Sequence, residues 1–320
     1  MVVHTPFLPR MDPLASWRLY SYKLQLTTFS DQREGLILQT AFSDNRIGWG
    51  EIAPLPGRSK ETLAEAKEQL LQALRGKLLS PPLPSVAFGL ECALTPYIPS
   101  AGSFPLWALL AGTPDAIQEK AKRAEQEGFR SLKIKVSNLN PSDAEQIIRP
   151  LIGKFQLRID VNRAWSFDKA AAFFSRFPEH AIACVEEPTH ELERLSDITF
   201  PFALDESLTE IPFAQMAGFP QLTTLIIKPT ITGGSYALKI IEQLGKKIIF
   251  TGAFETGIGT ALIANFAHRM NMATNPLGLD TYRFIKEDLL ESPIDFSQGT
   301  LQLPTQFHLK SDCLTEIAHG

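Results

Sequence analysis

The sequence predicts an α/β fold in which a parallel sheet closes into a barrel, with a small antiparallel module beside it. Two observations carry this expectation. From about residue 104 onward, apolar stretches of strand length alternate with stretches of helix length, seven or eight times over about 185 residues. Before residue 100 the pattern is different: apolar and polar residues alternate singly, with turn residues between the runs. The competing open, doubly wound sheet usually places a glycine fingerprint for a dinucleotide after its first strand, and no such fingerprint is present.

In chain order, Tyr22, Leu24 and Leu26 alternate with Lys23 and Gln25, as on a half-buried strand. Strands are also expected over 36–42 and 46–52, around a turn at Ser43, Asp44 and Asn45. Ser59 and Thr62 precede a helix reaching about Leu74. Pro81, Pro82 and Pro84 read as a rigid connection to a second helix over 86–94. Barrel strands are expected near 104–110, 131–136, 155–160, 182–186, 202–205, 224–228 and 247–250. Helices are expected over 115–127, 142–152, 167–177, 234–244 and 257–270. From about residue 290 the alternation is lost, and this tail is expected to pack back on the antiparallel module.

The composition narrows the function. Lys and Arg number 31 against 35 Asp and Glu, a net charge of −4, which suits neither wrapping of nucleic acid nor coating of an anionic membrane. No stretch approaches the ~20 apolar residues of a membrane span. Residues 1–14 hold three prolines and no apolar core of a secretory signal. Cys92, Cys184 and Cys313 form no metal-ligand pattern and read as reduced thiols of a cytoplasmic protein.

The expected strand ends carry the chemistry. Lys133 and Lys135 lie two apart, on one face of a strand, a pattern that a solvated edge strand gives equally well. The following strands end in Asp160, in Glu186 and Glu187, in Asp205 and Glu206, and in Lys228. From Lys135 the steps are 25, 26, 19 and 23 residues, each about one strand–helix unit. In a barrel all these ends meet at one mouth, where barrel enzymes hold their active sites. Three carboxylates buried together need a counter-charge, and oxygen-only ligands suit Mg²⁺. Helix capping would account for Asp205 or Ser207 singly, but not for the flanking lysines. Lys135 and Lys228, on the second and sixth strands, fall on opposite sides of the ring. Bound Mg²⁺ can stabilise the enediolate formed when a proton leaves the carbon beside a carboxylate. Like charge from Lys133 and the dication would favour the neutral amine such a base needs.

The series Lys133-x-Lys135, Asp160, Glu186, Asp205 and Lys228 resembles the enolase superfamily in its muconate-lactonizing branch. More narrowly it is similar to the o-succinylbenzoate synthases of menaquinone biosynthesis. The segments that carry this are Gly48-Trp-Gly-Glu-Ile-Ala-Pro-Leu-Pro-Gly57, Ser85-Val-Ala-Phe-Gly89, Asp160-Val-Asn-Arg-Ala-Trp165, Glu186-Glu-Pro188, Leu204-Asp-Glu-Ser207, Ile227-Lys-Pro-Thr230 and Gly278-Leu-Asp-Thr281. The resemblance implies a modified (β/α)₇β TIM barrel over 99–287, with an α+β capping domain over 1–98 completed by 288–320. It implies Lys135 as base and then acid, Lys228 as stabiliser of the anion, and Lys133 as support for Lys135 and contact for a substrate carboxylate. It implies Asp160, Glu186 and Asp205 as ligands of Mg²⁺, for which Mn²⁺ can substitute, and Glu187 and Glu206 as residues behind them. Asn162, Gly252 and Glu255 join Lys133 as expected substrate contacts.

The implied reaction is syn dehydration of 2-succinyl-6-hydroxy-2,4-cyclohexadiene-1-carboxylate. The alternatives are racemisation of N-succinylamino acids or epimerisation of dipeptides and, from another class, a non-catalytic barrel that binds an anion. The partner is then a small anionic molecule, with no nucleic acid or membrane; oligomeric state stays open, a monomer being compatible. Thr251-Gly-Ala-Phe-Glu-Thr256 departs from the more serine-rich segment expected there, though Glu255 keeps its acidic residue. Gly257-Ile-Gly259 opens a helix whose amides could meet an anion or form an ordinary helix start. Pro54 to Arg58 reads either as a loop over the barrel mouth or as a rigid turn. His180, His190 and His268 have no partner at ligand spacing, Cys184 reads as core, and Trp49 and Trp165 as packing residues.

Overall fold

The structure, a computed structural model, describes residues 14–27, 32–77, 82–99, 102–178, 180–234, 236, 239 and 243–320. The expected absence of a signal at 1–14 falls almost wholly outside these residues, as do Pro81 and much of the helix expected over 234–244.

A four-stranded antiparallel sheet is built from β1 (Leu14–Gln25), β2 (Gln32–Phe42), β3 (Ile47–Ile52) and the far end of the chain. Trp17, Leu19, Tyr22 and Leu24 of β1 are buried, while Arg18, Lys23 and Gln25 face water, so the alternation read from sequence is real but starts eight residues earlier. Helix α1 (Leu63–Leu74) begins at Thr62, whose hydroxyl accepts from the Glu65 amide while the Glu65 carboxylate accepts from the Thr62 amide. Ser59 instead closes a tight loop, accepting from the Leu55 amide at 2.9 Å. Helix α2 (Pro84–Leu94) starts earlier than expected. Pro84 is its first residue and not part of the linker, because proline has the right φ and needs no partner for a missing N–H there.

The expected strand 104–110 is two elements. β4 (Ser103–Pro105) pairs antiparallel with a late strand over Thr300–Gln302, and only β5 (Trp107–Leu110) enters the parallel sheet. Pro105 has no N–H for a ladder, and the Leu106 amide turns aside to Gly299 O at 3.0 Å. Six parallel strands follow β5 in ring order: β6 (Ser131–Lys135), β7 (Gln156–Asp160), β8 (Cys184–Glu186), β9 (Phe202–Leu204), β10 (Leu222–Ile227) and β11 (Lys247–Phe250). The early intervening helices are capped by the residue before them. Thr113 starts α3 (Pro114–Gln126), Asn140 starts α4 (Pro141–Ile148), and Ser166 starts α5 (Phe167–Phe174). After β8 and β9 the helical layer shrinks to 3₁₀ turns and the short α6 (Phe213–Ala217), and α7 (Pro229–Thr232) follows β10. Helix α8 (Gly257–Arg269) is almost wholly buried.

Leu277 and Gly278 close the ring. Leu277 bridges Leu106 and Gly278 bridges Thr251, both in parallel, and the Gly278 amide donates to Phe250 O at 2.9 Å. The eighth barrel position is thus a two-residue seam between β5 and β11. Inside the barrel Trp107, Cys184, Ala203, Ile226 and Ile249 pack together, while Leu132, Ile134, Ile159, Val185 and Leu204 join the core under the helices. β12 (Thr300–Gln302) completes the small ribbon with β4, and β13 (Leu314–His319) pairs with β1, as expected of the tail.

Candidate active site

The inside-out alternation of the barrel strands selects the site. Leu132 and Ile134 face the helices, so Lys133 and Lys135 point inward. Ile159 faces the helices, so Arg158 and Asp160 point inward, and Glu186 follows Cys184 on the inner face of β8. The registers place Lys135 beside Asp160, Asp160 beside Glu186, and Glu186 beside Ala203, two residues short of Asp205. Lys228 follows β10 directly. Counted around the closed ring, β6 and β10 stand opposite one another, and so do the chain positions of Lys135 and Lys228.

These side chains meet as ion pairs. Lys133 Nζ lies 2.6 Å from Glu186 Oε1 and 3.0 Å from Asp160 Oδ2, while Lys135 Nζ is 3.8 Å from Asp160 Oδ2. Lys228 Nζ donates to Asp205 Oδ2. Lys135 is the most open of them, its side chain 40% exposed against 14% for Lys133 and 21% for Lys228. Burial alone would lower the Lys133 pKa, but the Asp160 and Glu186 carboxylates outweigh it and hold the ammonium above its ordinary value. Lys228 is likewise raised: burial opposes its charge, but Asp205 and Glu206 outweigh burial. Burial works against ionised Glu186 too, yet Lys133, Arg158 and Lys228 together pull its pKa down to about 2. Asp205 is pushed up to about 7 by burial, with Lys228 opposing and Glu206 and Glu186 adding to the rise.

Glu187 shapes the corner behind Asp205. Its backbone is left-handed, φ 46°, which swings the side chain outward from the β8 end toward the next loop. Oε1 accepts from the amides of Asp205 at 2.6 Å and Ser207 at 2.9 Å, and Oε2 accepts from Ser207 Oγ at 2.5 Å and Arg163 Nε at 3.0 Å. Glu187 therefore grips the loop that carries Asp205.

A cavity of about 360 Å³ opens above these strand ends, lined in part by Lys133, Lys135, Asp160, Asp205 and Lys228. Of the expected substrate contacts, Asn162 and Gly252 line it as well. Glu255 lies behind the cavity wall. It is 2% exposed, accepts from Thr230 Oγ1 at 2.6 Å and from the Ala253 amide, and so stiffens its own loop. The Gly257-Ile-Gly259 amides do meet anions, but these are protein carboxylates: Gly259 N donates to Glu51 and Gly257 N to Asp288, each at 2.9 Å. Leu55, Gly57 and Arg58 form part of the cavity roof, and Arg58 reaches Glu206 at 2.8 Å. Trp165 packs on Phe173 and Trp49 on Phe307, as packing residues do.

Sequence reading missed Arg158. It is 1% exposed, lines the cavity floor over Trp107, and lies 3.5 Å from Glu186 Oε2, with Nε and Nη1 making no hydrogen bond. Its place two residues before Asp160 was the available signal, since residues two apart share a strand face.

No three acidic, histidine or cysteine side chains among the described residues are grouped closely enough to hold a metal, and lysines pair with the Asp160, Glu186 and Asp205 carboxylates. The donor set nevertheless suits a hard divalent cation. It is all oxygen, drawn from neighbouring strand ends, and Glu186 Oε2 is buried without a hydrogen-bond partner.

A closed parallel barrel with lysines and carboxylates at its strand ends, roofed in part by a loop that follows an antiparallel sheet, defines the enolase class, and residues 116–307 match the family described as enolase C-terminal domain-like. Residues 16–97 match the family described as MenC, N-terminal domain. The o-succinylbenzoate synthase of Haemophilus influenzae is 33% identical, covering 94% of this chain and 98% of its own length. That of Klebsiella pneumoniae is 36% identical, covering 81% of this chain and 86% of its own length. The structure of o-succinylbenzoate synthase from Thermosynechococcus elongatus BP-1, complexed with Mg in the active site, superposes with a TM-score of 0.68 at 25% identity, covering 86% of this chain and 95% of that one. The chain belongs to the o-succinylbenzoate synthase family of the enolase superfamily, as the resemblance of its motifs implied.

Proposed function

We propose that the chain catalyses the magnesium-dependent syn dehydration of 2-succinyl-6-hydroxy-2,4-cyclohexadiene-1-carboxylate to o-succinylbenzoate, a step of menaquinone biosynthesis. The observation that carries the chemistry is the pair Lys135 and Lys228, lining one cavity from opposite strands of the ring. Asp160, Glu186 and Asp205 would hold the Mg²⁺, and Mn²⁺ would serve in its place. Bound there, the ion supplies the positive charge that eases loss of a proton beside a carboxylate.

The chain's own groups do the rest. The amine of Lys135 takes the proton from the carbon bearing the carboxylate. The resulting ammonium then returns a proton to the departing hydroxyl on the same face, so that water leaves and the ring becomes aromatic. Lys228, across the ring, keeps its charge toward the anion as it forms. Lys133, paired here with Asp160 and Glu186, would support Lys135 and contact the substrate carboxylate. Asn162 and Gly252 bound the space for the succinyl arm.

The reading includes the division of the chain: a catalytic barrel over 99–287 and a cap over 1–98 completed by 288–320. The pairing of β13 with β1 supports the return of the tail to the cap, and the family match over 16–97 supports a separate N-terminal unit. No helix among the described residues is long and apolar enough to cross a membrane, and Cys92, Cys184 and Cys313 are free thiols. Free thiols suit the reducing cytoplasm proposed for it, where its partner is a small anionic molecule; oligomeric state stays open, a monomer being compatible. The test is a direct assay for o-succinylbenzoate formed from the cyclohexadiene acid, with N-succinylamino acids and dipeptides as competing substrates. Turnover of only the latter would overturn the reading.

A further inference from the structure

The loop after β11 carries Gly252, Ala253 and Phe254 into the cavity wall, and much of what holds it comes from outside the barrel. Phe254 has a left-handed backbone, φ 62°, which a bulky residue adopts only when its surroundings demand it. Arg33, on β2 and 2% exposed, reaches it: Nε donates to Phe254 O at 3.0 Å. The same guanidinium donates to Pro54 O at 2.8 Å and to Ala53 O, so a single side chain ties the cavity wall to the root of the roof loop.

Glu51, on β3 and 3% exposed, holds the other end of the segment. Its Oε1 accepts from Tyr22 Oη at 2.6 Å and Thr256 N at 3.1 Å, and its Oε2 from Thr256 Oγ1 at 2.5 Å and Gly259 N at 2.9 Å. Thr256 does not cap its own helix; the cap comes from a residue 205 positions earlier in the chain. Gly259 is required for this approach, since a Cβ there would lie 2.5 Å from Glu51 Oε2. Burial and the nearby Glu255 carboxylate disfavour charge on Glu51, whereas the hydrogen bonds from Thr256 and Tyr22 and the charge of Arg33 favour it.

We infer that Arg33 and Glu51 are positioning residues for substrate recognition: by clamping 254–259 to the antiparallel sheet, they set the cavity wall made by Gly252, Ala253 and Phe254. The kinetic part of this rests on the proposed dehydration, whereas the structural part does not. A buried carboxylate and guanidinium serving only the stability of the sheet would leave the wall, and hence KM, unchanged.

The test compares Glu51→Gln, Arg33→Met and Arg33→Lys with Thr40→Val. Thr40 is buried in β2 and bonds only within its own module, to Ala93 O at 2.6 Å, so its loss destabilises without touching the loop. Glutamine keeps the volume of Glu51 but turns an NH₂ toward one pair of donors. Glu51→Gln and Arg33→Met should raise KM about ten- to hundredfold, as loss of hydrogen bonds to a buried charge does, with kcat little changed. Arg33→Lys should restore part of the loss, and Thr40→Val should lower Tm with KM unchanged. Hydrogen exchange of the ligand-free proteins should quicken at 253–259 in the first two variants and not in Thr40→Val. Unchanged KM in the active variants, or unchanged exchange at 253–259, overturns the inference. Should Glu51→Gln fail to fold, the two Arg33 variants decide it. Should the wild-type chain lack dehydratase activity, the functional reading falls while the exchange experiment still judges the clamp.

Discussion

The two sheets of this molecule treat charge in opposite ways. On the antiparallel sheet one face is wet, and charged residues there cost little: Lys23 and Glu34 pair across β1 and β2 with side chains 56% and 49% exposed. In the barrel both faces of the strands are buried, so each inward charge must find a partner or a purpose. Lys133, Arg158, Asp160 and Glu186 sit there and lean on one another. A charge in a sheet therefore signals function only when its burial makes it expensive. Arg33 and Glu51 obey the same rule from the other side. They are the buried charges of β2 and β3, and they reach for the barrel.

Substitutions along this divide should separate the two kinds of charge. The largest effect is expected for Lys135→Arg, which keeps the charge but removes the base. It should abolish turnover and also stop exchange of the α-proton of a substrate analogue with deuterated solvent, read by NMR. Surviving exchange in that variant would move the base to Lys228. Chelation comes next: excess EDTA should abolish turnover, and Mg²⁺ or Mn²⁺ should restore it, with elemental analysis confirming the metal-free state. Full activity without metal would dismiss the carboxylates as ligands.

Lys228→Arg should lose about 10²–10³-fold in kcat, the scale of one electrostatic stabiliser, because arginine still presents charge from across the ring. Glu187→Gln should weaken Mg²⁺ binding by about tenfold in titration calorimetry, since an NH₂ replaces an oxygen that accepts from two donors and the Asp205 loop loosens. Lys23→Ala should do least. Its exposed pair is worth at most about 1 kcal/mol, so denaturation midpoint and KM should both stay at the wild-type values within error.

The strand-end residues were legible because ionisable side chains at one strand–helix spacing are hard to explain as ordinary surface. Other features were not. Arg158 shares a face with Asp160, but in Leu157-Arg158-Ile159 an arginine reads equally well as a wet position. The motif drew attention to Glu255 but gave no sign of its bond from Thr230, because a motif gives the residue and not the direction in which its carboxylate turns. The Glu51 cap on α8 joins segments 205 residues apart, beyond the reach of any local pattern. Pro105 did carry a warning that the expected strand 104–110 was broken. Leu277 and Gly278 are too few to show a period of two, so the eighth barrel position had no pattern to read.

That two-residue seam gives the barrel a preferred place to breathe. β5 and β6 share a four-residue register and β6 and β7 a five-residue one, whereas Leu277 and Gly278 join the edges through single bridges. Amide exchange at Gly278 should therefore be faster than in the β5–β6 and β6–β7 ladders, at a free energy below that of global unfolding. Gly278 and its bridge partner Thr251 both border the cavity, so a transient parting there widens the chamber while the six ladders between β5 and β11 stay zipped.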